Sequence, residues 1–130
     1  MTTDEIQQIV DRAYPLIQKY YGKGSKPIPP VELHFDIYAR LSGIEGMEGE
    51  ESDTSEAQYD PDTNMMYVYT RNMKNEEDVL RALIHEYTHY LQNITPLKTS
   101  VANQRYTYEN NPYEQEAHAN EENWETFSQK

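Results

Sequence analysis

Three residues close together in the chain carry most of the chemistry it can offer: His85, Glu86 and His89. Histidines four apart on a helix leave the same face, about one turn from each other. Two imidazole nitrogens so placed can meet one divalent cation at about 2.0–2.1 Å. Glu86 projects about 100° round from His85, so it is badly placed as a ligand beside the two imidazoles but within reach of a water on the same ion. A carboxylate there can take the proton that a metal makes acidic and later hand it to a leaving amine. Metal-assisted hydrolysis therefore uses all three residues. The plainer alternative is a pair of helical histidines without metal. Leu83, Ile84 and Leu91 beside them weigh against it, because unpartnered polar rings among apolar neighbours are costly.

The elements that must position these side chains can be read from periodicity and caps. Asn75 followed by Glu76, Glu77 and Asp78 predicts a helix start, and Val79, Leu80, Leu83, Ile84, Tyr87 and Leu91 continue it at helical spacing to about Asn93. Residues 94–110 are polar and predicted irregular. Asn111-Pro112 then marks a second start, with Asn as cap and Pro at the first helical position. The inward stripe of this last helix is Tyr113, Ala117, Trp124 and Phe127.

His85-Glu86-Tyr87-Thr88-His89 resembles the His-Glu-x-x-His signature of the zincin metallopeptidases. The branch with a third His would need it at position 95, which is Thr, and the deformylase-like variant needs a Cys, of which there is none. The resemblance therefore narrows to the gluzincins, and to their minimal form. There a downstream helix supplies a Glu ligand, followed three residues later by a small residue and then by Asp or Asn. Two registers fit. Glu114 has Ala117 and His118 in those places; Glu116 has Ala119 and Asn120. The two point about 200° apart, so only one can bind. The Asn-Pro-Tyr-Glu context favours Glu114, with Glu116 the alternative. The resemblance implies Zn2+ held by His85, His89 and one of these glutamates, with Glu86 as general base and acid. It also implies a Tyr or His donor to the developing oxyanion, for which Tyr106, Tyr108 and His118 are candidates; each can equally be an ordinary surface residue. His118 can alternatively orient a ligand histidine. The resemblance covers mainly residues 75–125.

The remaining segments predict the frame. Residues 4–21 read as an amphipathic helix capped by Thr3, with Pro15 expected to kink or divide it. Residues 22–30 are a linker of breakers. Val31, Leu33, Phe35, Ile37 and Ala39 alternate with polar or aromatic residues as in a half-buried strand that leaves His34 exposed. Residues 40–56 read as a mobile acidic loop. Strands at 57–59 and 65–70 flank Asp60-Pro61-Asp62-Thr63-Asn64, a predicted hairpin whose Tyr67–Tyr69 stretch can offer an edge to an extended substrate. The expected fold is a single α+β domain over residues 1–130. Its order is N-terminal helix, small mostly antiparallel sheet, active-site helix and C-terminal glutamate helix.

A formal charge of −12 argues against nucleic acid and anionic membranes as partners and favours a polypeptide substrate, either one protein or peptides generally. No apolar run is long enough to span a membrane, and Met1–Glu5 do not open a signal peptide, so a cytoplasmic, monomeric protein is the default expectation. Twelve Tyr against two Phe and one Trp predicts rings that cover a core while their hydroxyls stay wet. The reading that follows is a zinc-dependent metallopeptidase. Its rival is a non-catalytic zinc-stabilised interaction module of the same fold, in which Glu86 would have no chemical task.

Overall fold

A computed structural model of the chain describes residues 1–42, 55–93, 101–102, 104–107 and 110–128. Helix α1 (Thr3–Tyr21) begins one residue earlier than its sequence suggests. Thr2 is the cap: its hydroxyl accepts from Glu5 N–H at 3.1 Å, and the Glu5 carboxylate accepts from Thr2 N–H at 2.9 Å, a reciprocal box that satisfies two otherwise orphaned donors. Ile6, Val10, Ala13, Tyr14 and Ile17 form its buried stripe. Pro15 does not divide the helix. It lies on the exposed face opposite that stripe, where water can solvate the Asp11 carbonyl that loses its helical donor. Gly22 ends α1 with φ +86°, a conformation that suits glycine.

The linker that follows has no regular structure, and its backbone is held by tyrosines. Tyr14 Oη donates to Pro29 O at 2.6 Å, Tyr87 Oη to Gly22 O and Tyr90 Oη to Lys26 O, while Gly24 N–H donates to Tyr90 Oη at 3.1 Å. These hydroxyls are spent on main-chain groups, so the expectation that they stay wet is wrong for the three that matter most to the core.

Strand β1 (Val31–His34) is shorter than its alternating pattern implied. Asp36 stops it. Its side chain is fully buried, with Oδ1 accepting from Ala39 N–H at 2.8 Å and Oδ2 from Arg71 Nη1 at 3.0 Å. An Asp so placed caps a helix, and residues 37–42 form α2 (Ile37–Ser42) in place of a continued strand. His34 is half-buried, bonded to Glu32 at 3.0 Å and packed near the Tyr67 ring. Most of the predicted acidic loop, residues 43–54, lies outside the described residues.

β2 (Ala57–Asp60) and β3 (Met65–Tyr69) form the predicted antiparallel hairpin, with Asn64 at φ +55° in its turn. β1 pairs with β3 in parallel, giving the order β1-β3-β2. The class is α+β as expected, but the sheet is mixed, with one pairing of each kind. β3 is central, so Tyr67–Tyr69 cannot offer a free edge; β1 and β2 flank it at the two edges. Met66 and Val68 point into the core with Leu80, Leu83 and Ile84 of α3 (Glu76–Leu91).

α3 packs on α1, on β2 and β3, and on α4 (Pro112–Glu121) with the 3₁₀ turn Glu122–Phe127 that continues it. Asn75 caps α3 through Asp78 N–H at 2.9 Å. Residues 101, 102, 104 and 105 are helical, where an irregular stretch was expected. Among the described residues no helix is long and apolar enough to cross a membrane.

Candidate metal centre

α3 and α4 meet with their functional residues facing. Ala117 is fully buried and sits three residues after Glu114, which lets α4 approach α3; Ala119, three after Glu116, is exposed. The register is set at the start of α4, where Asn111 Oδ1 accepts from Tyr113 N–H at 2.9 Å and Pro112 occupies the first turn. Trp124 of the predicted stripe is only partly buried, under the Arg81 guanidinium, while Phe127 at the end of the 3₁₀ turn is buried.

This packing places Glu114 across both histidines. Its Oε2 lies 3.0 Å from His85 Nε2 and its Oε1 lies 2.9 Å from His89 Nε2, with the imidazole centroids 4.8 Å apart. The three side chains are between 11% and 18% exposed, so the cluster is nearly dry. Ligands on a tetrahedral zinc are separated by roughly 3.3 Å, a little more than the spacings here. Small rotations of three side chains would admit an ion. Glu116 does not join them. It is exposed and accepts from Gln92 Nε2 at 2.8 Å.

Glu86, next to His85 in α3, faces the sheet. It is 9% exposed, and its Oε1 accepts from Tyr59 N–H of β2 at 2.9 Å. A cleft of about 330 Å³ opens beside it, lined by Ala57, Arg81, His85, Glu86, His118 and Glu121 among others. Of the three candidates for an oxyanion donor, His118 alone lines this cleft. Tyr106 is exposed and is not part of the lining, and Tyr108 lies outside the described residues. The His118 ring stands edge-on to His85 at 4.8 Å and its Nδ1 lies 2.9 Å from Glu121 Oε2.

Two further residues touch the histidines and were missed in the sequence. Glu121 Oε2 lies 2.7 Å from His85 Nδ1, and Gln92 Oε1 lies 2.8 Å from His89 Nδ1. Gln92 also donates through Nε2 to Tyr113 O at 2.9 Å, tying the end of α3 to the start of α4. Spacing could have found Glu121, since seven residues beyond Glu114 is about two turns on the same face. Gln92 was legible in the same way, since three residues past His89 is the next turn of the same helix face; only its bond to Tyr113 O depends on where α4 lands.

The electrostatics follow from the pairing. Burial works to lower the His85 pKa, but hydrogen bonds to Glu114 and Glu121 and the Glu86 charge overcome it and hold the ring up at about 10. His89 is raised in the same way: burial opposes, and Glu114 prevails. Burial pushes Glu114 up, yet its bonds to the two imidazoles leave it far below the usual carboxylate range. For Glu86, burial is the largest influence and raises its pKa against the pull of His85, His89 and the Tyr59 N–H. Two imidazoles bonded to one carboxylate form a cluster whose protons a divalent cation can replace.

Comparison with protein-family models, with curated proteins and with solved structures yields no match.

Proposed function

We propose that the chain is a zinc-dependent metallopeptidase of gluzincin type that cleaves a polypeptide. The observation that carries the reading is the single carboxylate of Glu114 spanning both Nε2 atoms of His85 and His89, with Glu86 beside them on an open cleft. Two imidazoles and one carboxylate are a donor set suited to catalytic zinc, which keeps a further position free. Zinc held there would acidify water and polarise a scissile carbonyl.

The chain's own residues supply the rest. Tyr59 N–H occupies Glu86 Oε1, which fixes the carboxylate and leaves Oε2 to accept a proton from water and return it to the leaving amine. Partial desolvation makes Glu86 a stronger base than an exposed carboxylate, as that task requires. The rival reading is a zinc-stabilised interaction module, and the same Tyr59–Glu86 bond favours it, because it gives Glu86 a structural use.

Metal content and peptide-library cleavage separate the two. Wild-type protein should carry close to one zinc per chain, His89→Ala should lose it, and Glu86→Gln should keep it while losing cleavage. Zinc retained with no cleavage of any peptide by the wild type would move the assignment to the interaction module. A folded wild type that binds no divalent ion would remove both.

A further inference from the structure

The two ligand histidines are backed by partners of different charge. His89 Nδ1 meets the neutral amide oxygen of Gln92 at 2.8 Å, whereas His85 Nδ1 meets the Glu121 carboxylate at 2.7 Å. The same Glu121 oxygen lies 2.9 Å from His118 Nδ1, and the Glu121 side chain is only 16% exposed. His85, His118 and Glu121 bring their donor atoms close enough to resemble a second cation site. His85 argues against that use. Serving two ions would strip both of its ring protons, whereas a carboxylate oxygen between two Nδ1–H groups is satisfied with no ion at all.

The geometry points to Glu121 as the positioning residue of the metal centre, with its carboxylate holding His85 in the Nδ1–H form so that Nε2 faces Glu114, and with His118 steadying Glu121 in turn. This rests on the metal-binding reading above. An imidazole that ligates through Nε2 must keep its proton on Nδ1, and a charged acceptor there fixes both tautomer and ring plane. It also strengthens Nε2 as a donor more than an amide does, so His85 should depend on its partner more than His89 depends on Gln92. By the gluzincin pattern the orienting group would stand four residues after the ligand glutamate, at His118. Here the carboxylate stands nearly one turn further along the same face, and His118 reaches it rather than His85.

The test is zinc affinity of the full chain by competition with a chromophoric chelator, together with ring ¹⁵N shifts of His85. Glu121→Gln retains size and an acceptor oxygen but removes the charge. It should lower zinc affinity by about 10–100-fold, while His118→Ala and Gln92→Ala lose less. In the zinc-loaded wild type, His85 should be metallated at Nε2 and protonated at Nδ1. Thermal melts of chelator-treated proteins identify any variant that has lost its fold, and the wild-type ring shifts stand whether or not Glu121→Gln folds. Affinity of folded Glu121→Gln within twofold of wild type, or His85 metallated through Nδ1, overturns the role of Glu121 alone. A wild type that takes up no zinc overturns the metal centre and this role together.

Discussion

α3 presents two neighbourhoods that solve the problem of buried polar groups in opposite ways. On one side Tyr87 packs edge to face on Tyr14 of α1 and tilted against Tyr90, and all three spend their hydroxyls on the carbonyls of the 22–30 linker. On the other side His85 and His89 face Glu114, with Glu121 behind. The tyrosine side joins neutral donors to neutral acceptors. Each of the three hydroxyls has its own carbonyl. The histidine side is a closed set of charges in which each member is tolerated only because of the others. A cation can enter such a set by displacing protons; nothing in the tyrosine set invites one. The difference separates a part of the molecule that ties the linker to the core from a part that could hold a metal ion.

Mutations should break the two sides differently. The largest effect is expected at Glu86, where Glu86→Gln should reduce peptide cleavage by about 10²–10⁴-fold with zinc retained, measured as kcat/KM beside metal content. Next comes Glu114→Ala, which removes the carboxylate proposed as a direct ligand. Its zinc affinity should fall by more than the roughly 10–100-fold expected of a group behind the ligands, while exposed Glu116→Ala leaves affinity unchanged in the same titration. Equal losses at the two positions would contradict the assignment of Glu114.

On the tyrosine side, Tyr14→Phe should cost about 1–3 kcal/mol in urea denaturation, because Pro29 is fully buried and its carbonyl would be left without a donor. Zinc affinity should not move. The smallest effect is the alkaline response. Burial holds Tyr87 up at about 12, against an ordinary 10.0, and raises Tyr14 as well. A group with a raised folded pKa contributes stability that is complete below its unfolded value and is lost as pH climbs to the folded one. Stability should therefore fall between pH 10 and about 12, and Tyr87→Phe should flatten that decline in denaturation curves taken across the window.

Much of this was legible in the residues themselves. The His85-Glu86-Tyr87-Thr88-His89 spacing, the caps at Asn75 and Asn111, and the hairpin around Asp60–Asn64 are local features. Helical periodicity and turn chemistry act over a few residues, so sequence suffices to read them. The failures share one cause. Alternation carried the first strand too far because nothing in its pattern showed that Asp36 would be buried against Arg71 and capture Ala39 N–H. Pro15 was taken as a breaker because its effect depends on which face meets water.

The residues of one helical turn were thus enough to say that two imidazoles and a carboxylate would sit together, since 3.6 residues per turn is dictated by the backbone. Whether Glu114 or Glu116 would face them was decided by the approach of α4, which buries Ala117 and leaves Ala119 in solvent. That Glu121 meets His85 was decided in the same way, because spacing puts it on the face of Glu114 but the meeting of two helices is a property of packed surfaces.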